Sequence, residues 1–297
     1  MLVSLCASLN LLEDLLDYSG EGKEGFVKIT VSIAQIEVAR SQPEVNLQKG
    51  ERLAREAARR GSDLVCFPEM WTTGFDWEAN LRLAPEQERV VERVAAMARD
   101  NRIWVSGSML TTYEQGRMSN THLLFDPEGE ERGRYTKSHL FSMFHEQEHV
   151  AAGNSLCIVE APWGKTALSV CYDIRFPELF RSYALKGAKI TLSPAAFPHP
   201  RMAHWKVLVR ARAIENQMFM VGTNQVGTED LGPHGRVTYF GDSVIIDPLG
   251  DTVVEAGETD EELLTATIDM DAVDATRAKM AVLRDRRPEL YELDNPP

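Results

Sequence analysis

Ala167-Leu168-Ser169-Val170-Cys171-Tyr172-Asp173-Ile174-Arg175-Phe176-Pro177-Glu178-Leu179 is an apolar, strand-forming run that stops at a cysteine and resumes as a helix behind Pro177. A strand, a sharp turn and a helix in so short a span is the unit from which sheets covered by helices are built. The thiol also sits beside backbone N–H groups that a helix N-terminus leaves unpaired. Such groups can hold a developing oxyanion, which suits a nucleophile. A free cysteine is more commonly a buried, inert apolar residue. The segment alone leaves both readings open.

Outward from this unit the alternation continues in both directions. Upstream, Lys28 to Gln35 reads as a strand with Ile29, Val31 and Ile33 on one face, and Leu47 to Arg60 as an amphipathic helix closed by Gly61. Asp63 to Phe67 is a short buried strand stopped by Pro68, Glu86 to Asn101 a helix, and Ile103 to Ser108 a strand. Thr121 to Phe125 and Glu131 to Tyr135 flank Asp126-Pro127-Glu128-Gly129, a hairpin signal. Leu156 to Val159 and Lys165 to Cys171 flank a turn at Gly164. Downstream come a helix from Pro177 to Lys186, a strand from Lys189 to Ser193, a helix from Ala203 to Gln217 and a strand from Phe219 to Thr223. Asp242 to Asp247, Thr252 to Glu255 and Leu263 to Asp269 complete the strands, followed by a charged helix from Ala272 to Arg287. No repeat or linker interrupts the pattern, which predicts mixed sheets covered by helices.

The bulk numbers exclude several classes. The chain has 297 residues, 43% of them hydrophobic, enough for one large core. A net charge of −13 with no basic stripe argues against nucleic acid or an anionic membrane surface as a partner. No apolar run approaches the length of a bilayer span. Four unpatterned cysteines (Cys6, Cys66, Cys157, Cys171) and no basic leader before the first apolar stretch predict reduced thiols and a cytoplasmic protein. Residues 1–26 read as an appendage, a short amphipathic helix on a polar tether, and Asp294-Asn295-Pro296-Pro297 as a disordered tail.

Two further segments bear on Cys171. Glu69, in Phe67-Pro68-Glu69-Met70-Trp71-Thr72-Thr73-Gly74-Phe75, is delivered by a strand that Pro68 ends, so it lies at the sheet edge where α/β sites are built. An acidic residue after a strand is usually solvated, but the aromatic neighbours speak against that here. Lys137, in Tyr135-Thr136-Lys137-Ser138-His139-Leu140-Phe141, follows the hairpin. Lysines are mostly surface residues. Beside a cysteine, one would favour thiolate and stabilise an anionic intermediate.

Taken together, Phe67-Pro68-Glu69, Tyr135-Thr136-Lys137 with His139-Leu140-Phe141, and Cys171 through Glu178 resemble the carbon-nitrogen hydrolase (nitrilase) superfamily, in the same chain order. The resemblance runs from about Lys28 to about Asp269, so residues 27–297 are expected to form the hydrolase domain. It implies a four-layer α-β-β-α sandwich and a homodimer or larger homo-oligomer. It also implies a Glu69-Lys137-Cys171 triad with a second glutamate at Glu146, an oxyanion hole of Lys137 and the Tyr172 N–H, and no cofactor or metal. Members often begin near Val27, so residues 1–26 are either a start-site artefact or a flexible extension.

Several stretches resemble the omega-amidase branch, which acts on 2-oxoglutaramate and 2-oxosuccinamate: Glu69 through Phe75, His139 through Met143, Arg210 through Gln217, and His204-Trp205. That substrate is a small molecule with a terminal amide and a free carboxylate. Arg175 and Arg201 are the candidate cations, with an ion pair inside its own loop as the alternative for Arg175 and plain solvation for Arg201. Tyr172 and Phe197 are expected to line the pocket. Other branches, acting on N-carbamoyl compounds or deaminated glutathione, share the triad.

His145-Glu146-Gln147-Glu148-His149 matches H-E-x-x-H, which on a helix places two histidines on one face for zinc. Ala151-Ala152-Gly153-Asn154 ends any such helix at once and no clear third ligand follows, so a zinc hydrolase is the remote alternative. A Cys-His enzyme using His139 or His204 lacks its local signature. A scaffold without activity gains no support from a chain that keeps all three triad residues.

Overall fold

The computed structural model describes residues 27–230 and 235–291; the expectations for residues 1–26 and for the 294–297 tail lie outside them. One six-stranded sheet contains β1 (Lys28–Gln35), β2 (Leu64–Cys66), β3 (Trp104–Thr112), β4 (Met118–Phe125), β5 (Glu131–Thr136) and, far along the chain, β14 (Glu262–Asp269). Its order is β14-β1-β2-β3-β4-β5, parallel from β1 to β3 and antiparallel elsewhere.

The second sheet holds β6 (Ile158–Ala161), β7 (Gly164–Leu168), β8 (Ile190–Ala195), β9 (Phe219–Asn224), β12 (Val244–Ile246) and β13 (Thr252–Glu255), ordered β13-β12-β9-β8-β7-β6. Again the central strands, β7 to β9, are parallel. A hairpin of β10 (Val226–Asp230) and β11 (Arg236–Phe240) stands apart.

Strand periodicity sorts the side chains into layers. Ile29, Val31 and Ile33 of β1, Leu64 and Cys66 of β2 and Leu124 of β4 pack in one core with Leu168, Ile190, Leu192 and Val221. That core lies between the sheets. The alternate residues Ala34, Val65, Phe67, Val105 and Leu123 face Leu47, Ala54 and Ala57 of helix α1 (Pro43–Arg59). The same layer takes Val90, Val94 and Ala98 of α3 (Gln87–Asn101), which follows the short α2 (Trp77–Leu83). After α4 (Glu146–His149), the second sheet is covered by α5 (Pro177–Leu185) and α6 (Met202–Asn216) through Phe180, Tyr183, Trp205, Val209 and Ala213. Gly222 permits that contact, since a Cβ there would lie 2.7 Å from the Trp205 ring. Each fully buried large side chain contributes roughly 1.5–3 kcal/mol. The result is the expected four-layer α-β-β-α sandwich.

Departures from expectation have local causes. Helix α1 begins at Pro43, four residues before the expected Leu47, because proline's fixed φ is preorganised for the first helical turn. The last helix, α7 (Asp271–Lys279), stops well before Arg287. Met280 turns extended, and its carbonyl is taken by the Gln217 side-chain amide at 2.8 Å. The strand before Cys171 ends at Leu168, and Cys171 to Arg175 form a 3-10 turn. Among the described residues, no helix is long and apolar enough to cross a membrane.

Candidate active site

Glu69 leaves the C-terminal end of the parallel strand β2. The Phe67 N–H donates to the Ser106 carbonyl at 2.7 Å and Pro68 then ends the pairing. Trp71 fastens the departing loop: it is fully buried, stacks on Phe67 at 4.5 Å, and fills a slot between Gly50 and Gly107. A Cβ at either glycine would lie within 3 Å of the indole. The Glu69 N–H crosses to the other sheet, donating to the Ala195 carbonyl at 3.3 Å. Lys137 follows β5, its N–H held by the Asn120 carbonyl at 2.9 Å. Cys171 follows β7 with φ +43°, sparsely populated for any residue but glycine.

The structure brings these residues together in a dry cluster. Lys137 Nζ donates to Glu69 Oε1 at 2.7 Å and to Glu146 Oε1 at 2.8 Å, and all three side chains are essentially inaccessible. Glu69 also accepts from Asn120 Nδ2 at 2.8 Å and from the Ala196 N–H at 3.0 Å. The Phe141 N–H donates to Glu146 Oε2 at 2.7 Å. The Cys171 thiol shares the pocket with Glu69 and Lys137, near enough for both to act on its ionisation.

Charges here are set by burial and by each other. Burial pushes the Lys137 ammonium toward neutrality, but Glu146 and Glu69 outweigh it and hold its pKa above the ordinary lysine value. Glu146 is pushed up by burial and by Glu69, against the pull of Lys137. Burial, with Glu69 adding to it, raises the Cys171 thiol well above the usual range. Lys137 does pull it down, as the sequence reading expected, yet that pull is outweighed. The balance favours the thiol form of Cys171 over a preformed thiolate.

Around the cluster, Phe141, Phe144, Tyr172, Phe197 and Pro198 wall a narrow pocket, with Arg175 and Arg201 also lining it. Arg175 lies over the Phe197 ring at 5.2 Å and the Tyr172 ring at 5.8 Å, and reaches His204 Nδ1 at 3.3 Å. It forms no ion pair with its loop neighbour Asp173, whose carboxylate is occupied elsewhere. Asp173 accepts from the Val170 N–H, the Tyr135 hydroxyl and both the N–H and Nδ1 of His139. Arg201 sits over Phe141 at 5.7 Å and donates to Met143 Sδ at 3.0 Å. Among the described residues neither guanidinium has a carboxylate partner.

The zinc alternative fails on geometry. His145 is left-handed at φ +56° and caps a helix of only four residues, so the two histidines share no continuous helical face. Glu146 points inward to Lys137, and the His149 ring stacks on Trp77 at 5.2 Å. As candidate bases, His139 is spent on Asp173 and on stacking against Phe176, and His204 on Arg175. The sequence reading missed Asn120 and the Ala196 N–H. An asparagine inside a strand and a backbone amide carry no motif of their own.

Comparison with known proteins agrees with this arrangement. The family profile for carbon-nitrogen hydrolases matches residues 30–278. The 2-oxoglutaramate amidase of Bacillus subtilis (strain 168) is 33% identical over 267 residues, covering 89% of this chain and all of that protein. The 2-oxoglutaramate amidase of Paenarthrobacter nicotinovorans is 37% identical over 243 residues, covering 77% of this chain and 80% of its own. The crystal structure of a carbon-nitrogen hydrolase from Helicobacter pylori G27 superposes with a TM-score of 0.83 at 25% identity, covering 90% of this chain and 97% of that one. This chain belongs to the carbon-nitrogen hydrolase family, and it is a hydrolase of amide carbon–nitrogen bonds.

Proposed function

We propose that the protein is a cysteine amidase that releases ammonia from the terminal amide of a small, carboxylate-bearing substrate of the 2-oxoglutaramate or 2-oxosuccinamate type. The observation that carries this reading is a buried thiol–carboxylate–ammonium cluster at the base of a small aromatic pocket, with two guanidiniums lining the same pocket that no carboxylate among the described residues neutralises. Similarity to two 2-oxoglutaramate amidases supports the substrate class.

The steps follow from the groups in place. As Cys171 Sγ bonds to the amide carbon, its proton passes to the Glu69 carboxylate within reach. The carbonyl oxygen becomes an oxyanion. Lys137 has three N–H donors, of which Glu69 and Glu146 use two, so one remains for that oxyanion. The Tyr172 N–H, in the first turn after the nucleophile, is the second donor. Glu69 then protonates the departing nitrogen and the carbon–nitrogen bond breaks, leaving a thioester on Cys171 and free ammonia. Water loses a proton to Glu69, its oxygen bonds to the acyl carbon, and the sulfur leaves and recovers that proton. Glu146 holds Lys137 in place throughout. Arg175 and Arg201 bind the substrate carboxylate, an interaction for which guanidinium geometry is suited.

We also read the protein as a cytoplasmic homodimer or larger homo-oligomer. Val207 and Ile214, 65% and 47% exposed on α6, supply an apolar contact, and light scattering tests this. The function is tested by ammonia release from 2-oxoglutaramate beside glutamine, an N-carbamoyl compound, deaminated glutathione and a nitrile. Preference for the keto-amide supports the reading. Preference for another amide, still lost in Cys171→Ala, keeps the chemistry and replaces the substrate.

A further inference from the structure

We propose that His122 and Asp173 are positioning residues that clamp the Ser169–Val170 peptide unit at both ends and so hold Cys171 against Lys137 and Glu69. The inference rests on Cys171 being the nucleophile. The Ser169 carbonyl meets His122 Nδ1 at 3.0 Å, while the N–H of the same planar unit, that of Val170, donates to Asp173 Oδ2 at 2.8 Å. With both ends of a rigid plane fixed, the direction in which the chain enters Cys171 is fixed as well.

The clamp has a physical reason to exist. A cysteine at φ +43° costs energy and persists only where the surroundings over-determine it. Both jaws are buried completely. Because a carbonyl only accepts, His122 Nδ1 carries the proton and Nε2 accepts from Ser106 Oγ at 2.7 Å, which sets the ring's tautomer. Burial pushes His122 down to about 3, so the ring is neutral when it bridges the sheets.

The same side chains register the clamp to the rest of the cluster. Asp173 Oδ2 accepts from the Tyr135 hydroxyl at 2.9 Å, and Oδ1 from the His139 N–H and Nδ1 at 3.2 and 2.7 Å. Tyr135 and His139 flank Lys137, two residues to either side. One carboxylate therefore ties the lysine loop to the cysteine turn. On β4, Asn120 and His122 are two residues apart and face the space between the sheets, as successive alternate residues must. The first holds Glu69 and the second the peptide before the nucleophile.

The test compares Tyr135→Phe, Asp173→Asn, His122→Leu and His122→Asn with wild type and Cys171→Ala. It measures kcat and KM for ammonia release from 2-oxoglutaramate, Cys171 alkylation by iodoacetamide against pH, and melting temperature. Asp173→Asn turns a donor toward the Val170 or His139 N–H. With His122→Leu it is expected to lower kcat on the order of 10²-fold with KM little changed, the size of loss that about 1 Å of misplacement produces. Tyr135→Phe removes a single hydroxyl, keeps the protein folded, and is expected to lower kcat several-fold. His122→Asn, whose amide N–H reaches where Nδ1–H stood, restores most of the loss seen in His122→Leu. His122→Leu changes no charge, so a thiol that has drifted from Lys137 shows up as an alkylation profile moved to higher pH. Folded variants with wild-type kcat and an unmoved profile would overturn the clamp alone. Activity in Cys171→Ala would overturn the reading beneath it.

Discussion

The floor of the pocket and its mouth treat charge in opposite ways. On the floor, buried Lys137 pairs with Glu69 at 2.7 Å and, behind it, with Glu146 at 2.8 Å, and Asn120, Ala196 and Phe141 supply further donors to the two carboxylates. At the mouth, Arg175 and Arg201 lean on aromatic rings and a methionine sulfur, with no acid among the described residues to meet them. Buried charges without partners are costly, so the floor has to be complete before substrate arrives. The mouth, wetter and supported by ring faces, tolerates unpaired cations until a carboxylate is delivered. On the proposed reading, the floor is where the chemistry is built, and the mouth is where substrates are told apart.

The largest expected effect breaks the floor. Cys171→Ala, and separately Glu69→Gln, should lower kcat by at least about 10³-fold, because residues that act as a unit fail together. Ammonia release at saturating substrate measures this; a melting temperature within a few degrees of wild type shows the loss is chemical.

Next is Lys137→Met, which removes the cation between two buried carboxylates. Loss of one partner in such an arrangement typically costs 3–5 kcal/mol, so the variant should be inactive and markedly less stable. Adding Glu146→Gln should recover part of the stability and none of the activity, as read by denaturant unfolding.

A smaller effect is expected at the mouth, where Arg175→Met should raise KM for 2-oxoglutaramate about 10- to 100-fold and leave kcat within a few-fold. Arg201→Met should act in the same direction. If either lowered kcat as far as Cys171→Ala does, the division between floor and mouth would be wrong.

The smallest concerns His122, beneath the floor. Its folded value of about 3 lies below the ordinary 6.5, so the stability it contributes is present above pH 6.5 and lost as pH falls toward 3. Between pH 6.5 and 5.5 this amounts to about 1 kcal/mol. His122→Asn should flatten the stability–pH curve of the protein by that amount over that window.

The parts of this arrangement legible in the sequence are those tied to a local stop signal. Glu69 follows Pro68, Lys137 follows the end of a hairpin strand, and Cys171 follows an apolar run. Each therefore sits just past a strand, and β1 was readable to the residue from its period-two patterning, whereas β3 runs on to Thr112 and β4 starts at Met118, beyond the expected bounds. What was illegible depends on distant partners. Asn120 and His122 are polar residues in a buried strand, explained by Glu69 at the end of β2 and by the Ser169 carbonyl of the facing sheet. Hairpin β10–β11 was not assigned; Gly227, Glu229 and Asp230 give it no apolar alternation, although Glu229 is buried against the Tyr239 hydroxyl. The H-E-x-x-H match misled because its spacing assumes a helix that His145 does not enter.

The most direct test of this division is the kcat/KM ratio between 2-oxoglutaramate and a neutral amide of equal length, in wild type, Arg175→Met with Arg201→Met, and Cys171→Ala. Wild type should favour the keto-acid by on the order of 10²-fold, the worth of a charge-assisted carboxylate contact. The arginine variant should lose that preference while still hydrolysing the neutral amide, and Cys171→Ala should hydrolyse neither. Turnover in Cys171→Ala, or a preference that survives removal of both arginines, would contradict it.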